Sequence, residues 1–94
     1  MSGEFRRIVL DGSRATDRES LYDALSSALG LSPEFGRNLD ALWDALTGDL
    51  EGPVELVWQD AAASRAALGP YFERILGVLR AAEGARPDFR LTLR

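Results

Sequence analysis

Pro33-Glu34-Phe35-Gly36-Arg37-Asn38-Leu39-Asp40-Ala41-Leu42-Trp43-Asp44-Ala45-Leu46-Thr47-Gly48 is the stretch on which the reading of this chain turns. Its first part, with Pro33 and Gly36, reads as a loop, and its second part as a short helix. Asn38 suits the N-cap, because its side-chain oxygen can accept from a free amide of the first turn. Leu39, Leu42 and Leu46 recur at the spacing of a core-facing stripe, and Gly48 closes the helix. Asp40 and Asp44 lie four residues apart and therefore on one face, where like charges cost about 0.2–0.5 kcal/mol. The helix dipole favours Asp40 in the first turn and helps Asp44 less. Thr47 shares that side and Trp43 lies at its edge. The leucines account for packing. They do not account for two aspartates, a threonine and the edge of an indole held together on the outside; taken singly, Asp40 reads as a first-turn aspartate and Trp43 as half-buried beside the stripe, and Asp44 is the residue that packing explains least.

Working outward, the strand before this stretch spans Phe5 to Leu10, with Ile8-Val9-Leu10 as a continuous apolar run of the kind buried on both faces of a parallel sheet. Asp11-Gly12 ends it. Thr16 to Glu19 is Thr-x-x-Glu, the pattern of a capping box. The helix it opens carries Leu21, Leu25, Ala28 and Leu29 on one face, with Tyr22 exposed, and Gly30 stops it. After the central helix, Pro53 to Trp58 is a strand with Val54, Leu56, Val57 and Trp58 as its β-favouring content. Trp58 reads as core, and Glu51 and Glu55 as solvated charges beside the strand. Asp60 can cap an alanine-rich helix from Ala61 to Leu68. Gly69-Pro70 breaks the chain, with Pro70 suited to the first position of the next helix. That helix turns Tyr71, Ile75, Val78, Leu79 and Ala82 to the core and ends at Gly84 and Pro87. Phe89, Leu91 and Leu93 then alternate with polar residues as a strand.

Strands separated by helix pairs predict an α/β fold: a three-stranded parallel sheet flanked by four helices, joined by right-handed crossovers. The first strand is expected in the centre, with a crossover to either side. The length of 94 residues predicts one domain over residues 1–94, with a modest core.

Charge is local. The window Glu34–Asp60 holds seven acidic residues and one basic residue, Arg37, whereas the remainder of the chain has more arginines than carboxylates. A focused negative surface attracts a positively charged partner and speeds association. The net charge of −4 argues against nucleic acid as the partner. All eleven basic residues are arginine, which suits a GC-rich coding sequence. There is no cysteine, so neither a disulfide nor a thiolate site is available and a reducing compartment is compatible. The N-terminus lacks the apolar run of a signal peptide, and no stretch approaches the ~20 apolar residues of a membrane span. These features predict a cytoplasmic protein away from membranes.

Histidine is absent as well, which removes the usual nucleophile–base pairs. The Asp40 and Asp44 pair could do acid–base work only in a cleft that so small a domain hardly provides. With Asn38 it could offer oxygen ligands to calcium or magnesium, but those ions want more ligands in a defined loop. No glycine-rich phosphate cradle follows a strand. The expectation is a protein that is not an enzyme, without cofactor or metal.

Gly36-Arg37-Asn38-Leu39-Asp40-Ala41-Leu42-Trp43-Asp44-Ala45-Leu46-Thr47-Gly48 resembles the binding loop and helix of the barstar family, intracellular inhibitors of barnase-type microbial ribonucleases. Asn-Leu-Asp-Ala-Leu-Trp-Asp is a specific run. The strand around Ile8-Val9-Leu10, the strand ending at Trp58 and the closing helix and strand fall at matching distances. The resemblance implies a barstar-like fold and an immunity role, in which the acidic loop and helix occupy the places of RNA phosphates in the active site of a secreted, guanyl-specific ribonuclease. Carried over by position, the contact residues are Phe35, Gly36, Asn38, Leu39, Asp40, Trp43, Asp44, Thr47 and Gly48, with Asp44 as the anchor on the enzyme's catalytic cations. A monomer forming a 1:1 complex suffices.

Three positions depart from the family's pattern. Glu34 precedes Phe35 where a second aromatic is expected, Asp49 follows Thr47-Gly48 where a tryptophan is expected, and Ala81 stands where the last helix offers a glutamate. The plug is intact while its rim is rewritten. The alternative reading is therefore a barstar-fold binding or immunity module for a different basic protein or toxin nuclease.

Overall fold

The computed structural model describes residues 4–32 and 34–94. Pro33, read above as part of the loop, lies outside the described residues, as do the first three residues of the N-terminus. The elements run β1 (Arg6–Asp11), α1 (Arg18–Leu29), α2 (Leu39–Asp44) continued by a π-helical turn (Ala45–Asp49), β2 (Val54–Gln59), α3 (Ala61–Leu68), α4 (Pro70–Ala85) and β3 (Phe89–Leu93). Both strand pairs are parallel. The α/β architecture of three parallel strands and four helices is the one expected. Among the described residues no helix is long and apolar enough to cross a membrane.

The strand order corrects one expectation: it is β1-β2-β3, so the second strand is central and not the first. The burial explains the choice. In β2, Val54, Leu56, Val57 and Trp58 are all buried, so the strand gains most from a neighbour on each side. In β1 the apolar run is not buried on both faces, because Val9 is 51% exposed. Two crossovers of one hand that advance in one direction leave their helices on a single side of the sheet. One face accordingly carries Leu10, Leu56, Trp58, Phe89 and Leu91 into a common core with Leu21, Leu25, Leu42, Leu46, Ile75 and Leu79. Across the other face, Arg7, Glu55 and Arg90 stand in register, as do Val9, Val57 and Thr92.

Glu55 is consequently not a loosely solvated charge. It accepts from Thr92 Oγ1 at 2.6 Å and from Arg7 Nε at 3.3 Å, in the middle of the outer face. The covered face has one buried polar relay. Trp58 Nε1 donates to Ser64 Oγ at 3.1 Å, and Ser64 Oγ donates to the Gly12 carbonyl at 2.8 Å. This ties β2, α3 and the end of β1 together and satisfies the indole of a fully buried tryptophan. Gly12 must be glycine here, since a Cβ would run into the carbonyl oxygens of Gln59 and Asp60.

Two helix starts and one tyrosine differ in detail from expectation. The capping box of α1 is shifted by one residue: Asp17, not Thr16, is the N-cap, and its partner is Ser20, not Glu19. Asp17 Oδ1 accepts from the Ser20 amide at 2.8 Å, and Ser20 Oγ accepts from the Asp17 amide at 3.1 Å. A carboxylate at this position also meets the positive end of the helix dipole, which a threonine does not. Asp60 makes no side-chain cap to α3. It sits in the left-handed region (φ 55), and its backbone carbonyl accepts from Ala63 instead. Pro70 does occupy the first turn of α4. Tyr22 is buried, not exposed, and its hydroxyl pairs with that of Tyr71 at 2.6 Å. Burial, before that hydrogen bond, pushes the Tyr22 phenol well above its ordinary value.

The Thr92 hydroxyl first, and then the Arg7 guanidinium, hold the Glu55 carboxyl below its ordinary value of 4.5. A carboxyl depressed by folding contributes stability that is present above its unfolded pKa and is lost as pH falls through the lowered folded value. Thermal melts from neutral pH down through that range should therefore show a smaller acid-induced fall for Glu55→Gln than for the wild-type chain. An equal fall in the two proteins would remove Glu55 from the account.

Candidate functional site

The helix Leu39–Asp44 starts on its expected cap. Asn38 is in extended conformation and its Oδ1 accepts from the Ala41 amide at 2.8 Å. Leu42 and Leu46 are fully buried and Leu39 partly so, which fastens the inner face. Asp40, Trp43, Asp44, Thr47 and Gly48 are all exposed. Trp43 is 37% exposed, the half-buried placement that its position at the edge of the leucine stripe implies. Thr47 Oγ1 donates to the Trp43 carbonyl at 2.7 Å, so its hydroxyl proton is used within the helix.

Gly48 does not close this helix by a left-handed cap. The chain widens after Asp44 into the π-helical turn, in which the Leu50 amide reaches the Ala45 carbonyl at 2.9 Å, five residues back. Gly48 lies inside that turn, and extended Leu50 ends it. Two carbonyls near the exit, Leu46 O and Leu50 O, accept from Arg86 Nη1 at 2.6 and 2.8 Å. Arg86 follows α4 and is 36 to 40 residues away in sequence. Helical spacing carries no signal for such a contact between segments 36 to 40 residues apart.

The loop before α2 is held from both sides. The Phe35 ring lies 5.9 Å from that of Tyr22, which in turn meets Tyr71 edge-on at 6.4 Å. An aromatic chain thus runs from the loop through α1 to α4. Arg37, the one cation of the acidic window, forms an ion pair with Asp23 of α1 at 2.5 Å. Both side chains are at least half exposed, so the pair adds little stability. Its effect is to turn the cation towards α1. Among the described residues, neither Asp40 nor Asp44 has an ion-pair partner.

Of the nine expected site residues, Phe35, Gly36 and Asp44 line a common groove, and Asn38, Leu39, Asp40, Trp43, Thr47 and Gly48 do not, so the two aspartates are divided. A groove of about 920 Å³ runs between α2, the end of α1 and the start of β1. Asp44, Phe35 and Gly36 line it, together with Glu34, Asp49 and Glu51; Asp40 does not. Asp44 thus shares the groove with three other carboxylates, Glu34, Asp49 and Glu51, among mostly apolar and small residues, while Asp40 stands outside it. Sequence periodicity identified the exposed ridge of the helix. The opposite wall, with Arg6, Ile8 and Leu31, depends on how β1 and α1 pack and has no local signature. Of the three departures noted above, Glu34 and Asp49 line this groove, and Ala81 is exposed on α4.

This geometry suits electrostatic recognition of a basic surface. The carboxylates project from a helix whose inner side is immobilised, so little conformational freedom remains to be lost on binding. Among the described residues no three acidic side chains converge as ligands for a metal ion.

Comparison with known proteins places the whole described fold in one family. A family model described as "Barstar (barnase inhibitor)" matches residues 5–94. A protein of Bacillus subtilis (strain 168), named "Putative ribonuclease inhibitor YrdF", is 37% identical over 89 residues, which cover 94% of this chain and 98% of that protein.

The cap makes a test of the site's scaffold. Asn38→Ala leaves an amide of the first turn without its acceptor, and should lower stability by about 0.5–2 kcal/mol in denaturant titration. A variant as stable as the wild type would show that the leucine stripe alone sets the start of the helix.

Proposed function

The chain belongs to the barstar family and is an inhibitor of ribonuclease, not an enzyme; from that premise we propose that it inhibits a secreted, guanyl-specific microbial ribonuclease by placing the loop and α2 in the enzyme's active site. The observation that carries this reading is the pair of exposed, unpaired carboxylates on an immobilised helix, with Asp44 in the groove it shares with Glu34, Asp49 and Glu51. Asp44 takes the place of a substrate phosphate among the enzyme's catalytic cations. Asp40 meets a second cation from the ridge. Trp43, Leu39 and Phe35 exclude water around the charges, and Gly36 and Gly48 let the partner's backbone come close. Asn38 has its oxygen committed to the cap and offers its amide nitrogen, and Thr47 offers the remaining lone pairs of its hydroxyl oxygen. The chain acts as a monomer in a 1:1 complex inside the producing cell.

The changed rim favours a second reading, a different basic protein or toxin nuclease as the partner, bound through the same plug. Glu34 and Asp49 add acid to the groove where the family pattern has aromatic residues, and Ala81 removes acid from α4. A panel of small secreted ribonucleases assayed at micromolar inhibitor separates the two. Inhibition of one of them supports the first reading, and inhibition of none of them leaves the second.

Asp44→Ala should weaken inhibition more than any other single substitution, by about 2–5 kcal/mol, because the partner's cations are then buried without a counter-charge. In the free protein the same change should leave the melting temperature unchanged or slightly raised, since it relieves the repulsion with Asp40. A variant that melts several degrees lower yet inhibits normally would make Asp44 a structural residue.

Association should also depend on salt. Six acidic residues of the window other than Glu55 have no ion-pair partner among the described residues, so their field reaches solvent. The Debye length falls from about 10 Å at 0.1 M salt to ~3 Å at 1 M, and the on-rate should fall with it. Stopped-flow association that is flat across this range would refute steering while leaving inhibition itself untouched.

A further inference from the structure

We propose that Arg86 is a positioning residue of the recognition surface: its guanidinium holds the exit of the α2 helix and π-helical turn, and thereby sets where Thr47, Gly48 and Asp49 stand against the nuclease. The functional half of this inference rests on the reading under Proposed function; the structural half does not.

The geometry is that of a four-point clamp. Arg86 Nη1 donates to Leu46 O at 2.6 Å and to Leu50 O at 2.8 Å. Arg86 Nε and Nη2 donate to the two carboxylate oxygens of Asp88 at 2.6 and 2.9 Å. The guanidinium is planar, and its donors leave in fixed directions, so satisfying all four acceptors fixes the carbonyls relative to Asp88. Asp88 is itself anchored. Its backbone carbonyl accepts from the Val54 amide at 2.9 Å, at the start of the central strand, and Gly52 packs so close to its carboxylate that a Cβ there would collide with it. The Arg86 amide donates to Ala82 O at 3.1 Å and so continues from α4. The clamp therefore refers the exit of the recognition helix to the start of β2 and the end of α4.

The π-helical turn creates the need for it. Because the Leu50 amide bonds to Ala45 O, it does not serve Leu46 O, the acceptor it would have in a regular α-helix. A carbonyl left without a donor at a half-buried helix exit is destabilising, and a widened turn held only by its own bonds is free to revert or fray. Arg86 supplies the missing donor from across the fold, with its side chain only 17% exposed. The residues that the clamp holds in place, Thr47 to Asp49, are exposed and adjoin Asp44. Asp49 is also one of the positions at which the rim departs from the family pattern, so the clamp lies beneath the part of the surface that distinguishes this chain.

The test uses the full chain, wild type, Arg86→Ala and Arg86→Lys, in two measurements. The first is amide hydrogen exchange of the free protein. Arg86→Ala should accelerate exchange at Leu50 and across Thr47–Asp49 by on the order of tenfold, with α1, α4 and β2 unchanged. Arg86→Lys, which has one charged nitrogen for four acceptors, should restore only part of the protection. Unchanged exchange at Leu50, or an equal acceleration over the whole chain, would overturn the clamp and leave Arg86 as an ordinary contributor to stability. The second measurement is a double-mutant cycle on dissociation from barnase. Arg86→Ala should couple to Thr47→Ala and Asp49→Ala and add independently to Asp40→Ala at the other end of the helix. Equal coupling to all three would overturn the positional role. Failure of the wild-type chain to bind barnase would count against the proposed partner class, while the exchange measurement would still decide the clamp.

Discussion

β2 exchanges backbone hydrogen bonds with a parallel neighbour along each edge, and its inward side chains Val54, Leu56 and Trp58 are fully buried. This two-sided pairing governs the rest. With β2 between β1 and β3, crossovers of one hand place the helices on one side, so a single core must serve all of them. The sheet's other face then carries Glu55 with its partners Arg7 and Thr92, beside Val9 and Val57. The indole of Trp58 could not be buried at the centre without a partner for its N–H, and Ser64 supplies one while relaying to Gly12. The contact between Gly12 and the Gln59–Asp60 backbone follows from the same juxtaposition of β1 and β2.

α2 divides its residues between two tasks. Leu42 and Leu46 bind it to the core, and the exposed side carries charge that the chain does not neutralise. A six-residue helix has little intrinsic stability, so this side can carry a repulsive pair only because the tertiary contacts hold the segment in place. Each boundary is held from outside the helix: the N-terminus by the Asn38 cap and the Phe35–Tyr22 contact, the exit by Arg86. The repulsion is then a modest cost in the free protein, one that a partner's cations would offset under the proposed function. That arrangement is expected of an inhibitor whose surface must be preorganised before it meets its target.

The reading of particular residues shows which signals were local. Leu39, Leu42 and Leu46, the Asn38 cap, the stop at Gly30, Pro70 in the first turn of α4 and the alternation in Phe89–Leu93 all follow from spacing or backbone preference, and all appear as expected. The misreadings concern competition between neighbours or distant partners. Asp17 displaced Thr16 as a cap because both can accept from the first turn and only one meets the geometry. Tyr22 carries no local sign of burial because its partner, Tyr71, is 49 residues away. Glu55 carries no local sign of a partner because Thr92 is 37 residues away.

By itself the sequence determined the kinds of elements, their order, the parallel α/β class and the ridge formed by Asp40, Trp43, Asp44 and Thr47. Each of these depends on periodicity or on φ/ψ preference within a few residues, where the chain's own geometry does the work. Only the tertiary structure decided that β2 is central, that Asp44 and not Asp40 fronts the groove, that the helix exit widens into a π-helical turn, and that Arg86 closes it. Those outcomes depend on which surfaces meet after the chain has crossed the sheet. A guanidinium 40 residues from the carbonyl it serves leaves no trace in local spacing. Strand order depends on the total burial that each arrangement achieves, a property of the whole fold rather than of any one segment.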